Sequence, residues 1–181
     1  MTISAAYKAE QQRMHRDLPS YGVASVEFAP QVSKIINQLG VTQILDYGAG
    51  KGRLGQSLEI DHQASMTLYD PGIPDLDEIP EPHEMVCCID VLEHIEPEFI
   101  DSVLDDLQRV TRRVGFFTIH TGPAMKILSD GRNAHLIQEG PEWWLPKIME
   151  RFDLQAYNRV SKHGFLVIVC PLAPTSDFET Q

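Results

Sequence analysis

From Ile44 to Gly55 the chain reads ILDYGAGKGRLG, an acid followed by a glycine at every second residue: Asp46, then Gly48, Gly50 and Gly52. Glycines strip the side chains from a turn and let a ligand come close to the backbone. Two familiar uses of such a turn fail on the residues present. The dinucleotide fingerprint GxGxxG would need glycine where Arg53 stands, and a phosphate loop would need Ser or Thr after its Gly-Lys pair, where this chain has Gly52. An acid plus a bare loop, without phosphate chemistry, suits a ligand that carries a cationic group and a sugar.

The residues that could move a proton or hold a metal lie further on. The stretch CCIDVLEHI places Asp90 three residues ahead of the pair Glu93-His94. With His120 or His135 as a further ligand, that spacing makes a mixed carboxylate and imidazole set suited to magnesium or manganese. His94 follows the apolar run MVCCI and His120 closes VGFFTIH. Asn133 and His135 sit in SDGRNAHLIQEGPEWW, Ser129 to Trp144, a polar insertion of the kind on which function concentrates. Imidazoles exchange protons near neutral pH. The plainer reading of each histidine is a hydrogen-bonded or exposed residue with no catalytic part. Trp143 and Trp144 read as core rather than as a substrate cage. Cys87, Cys88 and Cys170 lie in apolar runs without CxxC spacing and read as buried free thiols.

Short β-rich runs alternating with helical stretches must position these groups, which predicts an α/β fold. After a helical opening, PQVSKIINQL puts Val32, Ile35, Ile36 and Leu39 on one helical face, with Gly40 as the stop. VTQILDY is the first strand, KGRLGQSLEI a helix, SMTLY the second strand and MVCCI a third, apolar enough to be covered on both faces. The helix from Glu98 to Arg112 carries Phe99, Val103, Leu107 and Val110 in register after Pro97. VGFFTIH is a further strand, Pro141 to Arg151 a helix, and LQAYNRV and FLVIVCP form a hairpin closed by SKHG. The lead-in, residues 1–40, packs on or lids the remainder, 41–181, with Met14 and His15 on its helix and Tyr21-Gly22 able to cover the site.

At 181 residues one domain is expected, and 43% hydrophobic with 23% charged residues indicates an ordinary folded chain. No apolar run is long enough to span a membrane, and the polar start is unlike a signal peptide, so the expected compartment is the cytoplasm. The net charge is −11, and fifteen acids fall between Glu59 and Asp106 without a Lys or Arg. That balance disfavours nucleic-acid partners, which need basic surface, although Arg109, Arg112, Arg113, Lys126 and Arg132 form a local basic set.

Taken together, DYGAGKG, LYDP, DVLEH and the closing hairpin resemble the class I S-adenosylmethionine-dependent methyltransferases, from about Val41 to Pro171. The resemblance implies a Rossmann-like sheet, mostly parallel with an antiparallel C-terminal hairpin. It assigns Asp46, Gly48, Ala49, Gly50, Asp70, Pro71, Asp90 and Val91 to S-adenosylmethionine. In it Asp46 serves the methionyl part, and Asp70, 24 residues on, accepts both ribose hydroxyls. Only fourteen residues separate Asp70 from Met85, so the usual third strand and its helix are expected to be shortened or missing. Asp75, Asp77 and Glu78 are then the candidates for adenine recognition. His135, His120 and His94 are candidate bases, on a small-molecule or saccharide acceptor. The carboxylate and histidine set resembles in part the small-RNA 2′-O-methyltransferases, with Asp90, Glu93, His94 and His135 as the ligands if a metal is used. A cofactor-binding module without catalysis and, against Arg53, a nicotinamide dehydrogenase complete the alternatives.

Overall fold

The computed structural model describes residues 2–17 and 24–173. The expected cover from Tyr21-Gly22 lies outside these residues. Among the described residues no helix is long and apolar enough to cross a membrane.

Two helices lead in, α1 (Ala5–Asp17) and α2 (Ser25–Leu39). α2 starts five residues before Pro30 and ends where Gly40, at φ 61°, gives its N–H to the Ile36 carbonyl. The alternation that follows is β1 (Gln43–Tyr47), α3 (Arg53–Ser57), β2 (Ser65–Tyr69), β3 (His83–Ile89), α4 (Ile100–Val110), β4 (Thr111–His120), α5 (Pro141–Met149), β5 (Phe152–Ser161) and β6 (Gly164–Pro171). These strands form one six-stranded sheet in the order β2-β1-β3-β4-β6-β5. The first four run parallel, and β6 pairs antiparallel with both β4 and β5. Between β2 and β3 the described chain has a single 3-10 turn, Pro74–Leu76, as the short spacing predicts.

Several element boundaries differ from the sequence reading, two of them for a visible reason. The helix expected over KGRLGQSLEI is only Arg53–Ser57. It contains Gly55, a poor helix former, and beyond it Glu59 gives its N–H to the Ser33 hydroxyl of α2 instead of to another turn. α4 stops at Val110, where Thr111 turns its hydroxyl back to the Leu107 carbonyl at 2.7 Å and starts β4.

β3 shows why the sheet is buried on both sides. Met85 and Cys87 pack with Val32, Ile36, Leu54 and Phe116 under α2 and α3. Val86 and Cys88 pack with Leu104, Leu107, Phe117 and Trp144 under α4 and α5. The adjacent cysteines therefore face opposite cores, and all three are free thiols. Trp144 is fully buried, with its indole N–H on the Glu139 carbonyl, which bears out the core reading.

Candidate active site

A parallel sheet leaves the C-terminal ends of its strands as the natural ligand crevice. Here β1, β2, β3 and β4 end at Tyr47, Tyr69, Ile89 and His120, around a cavity of about 510 Å³. The eight residues that the resemblance assigns to the cofactor line it, as do His94, His120 and His135, whereas the adenine candidates Asp75, Asp77 and Glu78 do not.

Four glycine-loop amides are already engaged. Gly48 and Ala49 both donate to the Tyr69 carbonyl, Gly50 donates to Asp70, and Gly52 closes a turn on Ala49. The loop therefore offers space rather than these donors. Gly48, at φ 81°, also has a second task. A Cβ there would lie 2.4 Å from Cγ2 of Val91, so the glycine lets the loops after β1 and β3 close on each other.

The two acids differ in their surroundings. Asp70 receives the Gly50 N–H at 2.9 Å on one oxygen and the Gly72 N–H at 2.8 Å on the other, which holds its carboxylate flat with lone pairs to spare. Asp46 is buried, and its Oδ2 has no hydrogen-bond partner. Burial, and then the charge of Asp70, push its carboxyl up to about 7. Such an orphaned carboxyl calls for a partner, a hydrogen-bond donor or a cation. Asp90 is held in the left-handed region, at φ 51°, by a ring of two bonds: its N–H to Thr118 Oγ1 at 2.9 Å and the Thr118 hydroxyl to its Oδ1 at 2.6 Å. Strain of this kind persists only where neighbours enforce it, and it gathers at functional sites. Of the adenine candidates, Asp77 pairs with Lys8 of α1 at 2.8 Å, which ties the loop after β2 to that helix.

Beside Asp90 the insertion brings distant residues together. The Asn133 side chain brackets Ala124, accepting its N–H and donating to its carbonyl, both at 2.9 Å, and also accepts the His135 N–H. His135 donates from Nδ1 to the Gly122 carbonyl at 2.7 Å, and His94 from Nδ1 to the Ala134 carbonyl at 2.8 Å. Both rings thus present Nε2 as the basic nitrogen. The His135 ring meets His94 edge to face, with centroids 4.7 Å apart, and His120 at a tilt, 4.9 Å apart. Burial pushes both His94 and His135 down, His94 to about 4. Glu93 lies beneath, fully buried; burial and Asp90 push its carboxyl well up. One of its oxygens accepts the His120 N–H at 3.0 Å and Oε2 has no partner. Glu93, His94 and His135 each bring one ligand atom within 4.8 Å of the others. Asp90, expected as a fourth, is outside that group, and its Oδ1 accepts the Thr118 hydroxyl.

Sequence reasoning named His15 on the lead-in helix but missed Tyr7 and Gln11. α1 lies across the cavity and contributes all three, a spacing of four that could have been read as one face. Three contacts hold α1 down: Ser4 N and Oγ on Glu96, Lys8 on Asp77, and Ser129 N and Oγ on Glu10. Thr118, the brace of Asp90, had no local signal at all.

No family model and no curated protein matches the chain. Solved structures of similar shape do. The 1,6-didemethyltoxoflavin-N1-methyltransferase of Burkholderia thailandensis, with 1,6-didemethyltoxoflavin and S-adenosylhomocysteine bound, has TM-score 0.65 and 18% identity over 93% of this chain and 88% of its own. The N-methyltransferase NodS of Bradyrhizobium japonicum, in complex with S-adenosylhomocysteine, gives 0.59 and 13% over 90% and 98%. The small RNA methyltransferase HEN1 gives 0.60 and 11% over 83% of this chain and 25% of that one. The likeness establishes the fold, a Rossmann-like six-stranded sheet, mostly parallel with an antiparallel C-terminal hairpin.

Proposed function

We propose that this protein transfers the methyl group of S-adenosylmethionine to a small-molecule or saccharide acceptor. The observation that carries the reading is the buried, unpartnered Oδ2 of Asp46 beside a glycine loop and a doubly donated Asp70, a set that asks for an ammonium and a diol in one ligand. The three similar structures named above are described as methyltransferases, two of them with S-adenosylhomocysteine bound. Asp46 would face the ammonium, Asp70 the ribose hydroxyls, and Gly48 to Gly50, Pro71, Asp90 and Val91 the remaining wall. The cofactor supplies a sulfonium carbon open to displacement, for which the protein's part is in-line placement and, for an O–H or N–H acceptor, a proton sink. His135, with its lone pair on Nε2, is assigned as that base; His94 and His120 hold its ring. Residues 1–40 act as a lead-in whose α1 roofs the cavity.

Titration calorimetry with S-adenosylmethionine tests this directly. Asp70→Asn is expected to bind it roughly 2 to 4 kcal/mol more weakly, because an amide cannot accept as a carboxylate does. Equal affinity would remove Asp70 from the ribose site. Asp46 adds a pH signature. Its carboxyl, raised to about 7 in the free protein, must be ionised opposite an ammonium, so binding below that pH expels a proton. Affinity should rise with pH up to about 7 and level off above it, with proton release seen by calorimetry in buffers of different ionisation enthalpy. A flat profile from pH 6 to 8 would contradict the role.

A second reading is favoured by one observation, the convergence of Glu93, His94 and His135. Both imidazoles donate Nδ1–H to carbonyls, the support that metal-bound histidines show, and the Glu93 oxygen lacks a partner. These three residues fit a divalent ion, which would supply a Lewis acid for an acceptor oxygen. The acidic surface still weighs against an RNA acceptor.

A further inference from the structure

A second cavity, a groove of about 800 Å³, lies between α2 and the sheet. Small-molecule sites occupy roughly 300 to 1,000 Å³. Its floor comes from β4 and β6, where the opposed pairs His120 with Gly164, Thr118 with Leu166 and Phe116 with Ile168 are successive rungs of one face of the sheet. That face is the one under α2, since Phe116 and Leu166 belong to the core there and Ile168 packs against it. α2 supplies the wall. Phe28, Gln31, Ile35 and Gln38 recur at intervals of three, four and three, a single stripe of the helix, and the Phe28 ring meets Phe116 edge to face with centroids 6.0 Å apart. Both sides of the groove begin at the first cavity. Ala24 and Ser25, just ahead of the α2 stripe, line that cavity, and Asp90 and His120 line both. The groove therefore meets the cofactor crevice beside the histidine cluster, where the His120 and His135 rings pack, and Asp70 takes no part in it.

We infer that this groove holds the body of the methyl acceptor, and that the acceptor is an apolar small molecule, not a saccharide, whose O–H or N–H end lies at His120 and His135. The inference rests on the methyl-transfer reading above and narrows it. It follows from the lining. Phe28, Ile35 and Ile168 are half-buried although they pack against the core, so an apolar ligand laid along them completes their burial. A saccharide carries a hydroxyl on nearly every carbon, and on a floor of Phe116, Leu166 and Ile168 those hydroxyls would lose water without gaining partners. The amides Gln31, Gln38 and Asn158 stand among the lining residues that are exposed, where they serve solvent or one polar substituent. Its charged residues are of both signs, Glu27 against Lys34 and Arg159, so the groove has no single field to select an anion or a cation.

The probe is 2-naphthol, an apolar bicycle with one hydroxyl, titrated by nuclear magnetic resonance into isotope-labelled protein saturated with S-adenosylhomocysteine. Nuclear Overhauser contacts are expected from the naphthalene ring to Phe28, Ile35 and Ile168, and from its hydroxyl-bearing edge to His120. Gln31→Trp fills the groove from an exposed position that leaves the core alone. It should weaken 2-naphthol by roughly 5- to 100-fold, the cost of overpacking, with S-adenosylhomocysteine affinity unchanged, while Gln31→Ala binds both as the wild type does. The inference is overturned by 2-naphthol bound away from these residues, by equal binding to Gln31→Trp, or by methyl α-D-glucopyranoside held in the groove more tightly than 2-naphthol. A dimer in sedimentation whose interface covers Gln31 and Asn158 overturns it too, because a second copy then occupies the groove. Protein that binds S-adenosylhomocysteine but no 2-naphthol keeps the cofactor reading and loses this one. Protein that binds no S-adenosylhomocysteine loses both.

Discussion

Gly48→Ala abolishes cofactor binding and destabilises the fold: this is the largest single effect expected of the molecule. At φ 81° an L-residue is strained, and the added Cβ would lie 2.4 Å from Cγ2 and 2.9 Å from Cγ1 of Val91. Val91 cannot yield by rotating a long chain, since both γ carbons are in the contact. It also adjoins Asp90, whose own left-handed backbone is fixed by Thr118. Backbone strain and overpacking each cost roughly 1 to 3 kcal/mol, so a loss of about 2 to 6 kcal/mol is expected. Thermal unfolding measures the first part, and calorimetry with S-adenosylhomocysteine on the folded fraction measures the second. A variant that binds within threefold of wild type would show that the loops after β1 and β3 need not meet this closely.

His135→Ala is expected to slow methyl transfer by about 100- to 10,000-fold, the range for loss of a general base, with S-adenosylmethionine affinity unchanged. The ring reaches the site through its neighbours: Asn133 holds its N–H, Gly122 takes Nδ1–H, and His94 and His120 pack on either side. Burial keeps the ring neutral at physiological pH, so the rate should not fall as the pH rises from 6 to 8. The two proposals for this residue part on a direct measurement. If Glu93, His94 and His135 hold an ion, Mn²⁺ added to the wild type gives a bound signal by electron paramagnetic resonance that His135→Ala loses, and EDTA abolishes turnover. If His135 is a base alone, EDTA is without effect and no manganese is retained. Wild-type turnover by His135→Ala would reduce the residue to a structural member of the insertion.

How far the sequence reached depended on whether a feature was local. Asp46 and the glycines could be read because β1, its turn and the helix start are consecutive, and strand-end geometry does the rest. The missing third strand was equally legible, since fourteen residues between Asp70 and Met85 cannot hold a helix and a strand. The end of KGRLGQSLEI was not, because Ser33 of α2 takes the Glu59 amide that another helical turn would have used. The reason for Gly48 was also hidden. Its neighbour is Val91, 43 residues away, and no spacing rule announces that contact. The histidines and carboxylates were visible as types, but which of them meet was decided by tertiary structure: Asp90 bonds to Thr118 on β4, while Asn133 ties the insertion so that His135 reaches His94. The roof is the clearest case. α1 shows a face of Tyr7, Gln11 and His15, yet only its hydrogen bonds to Glu96 and Ser129 and its ion pair with Asp77, on three separate loops, lay that face over Asp70. Local chemistry follows from neighbours in the chain, whereas burial and pairing depend on segments that only the closed sheet brings within reach.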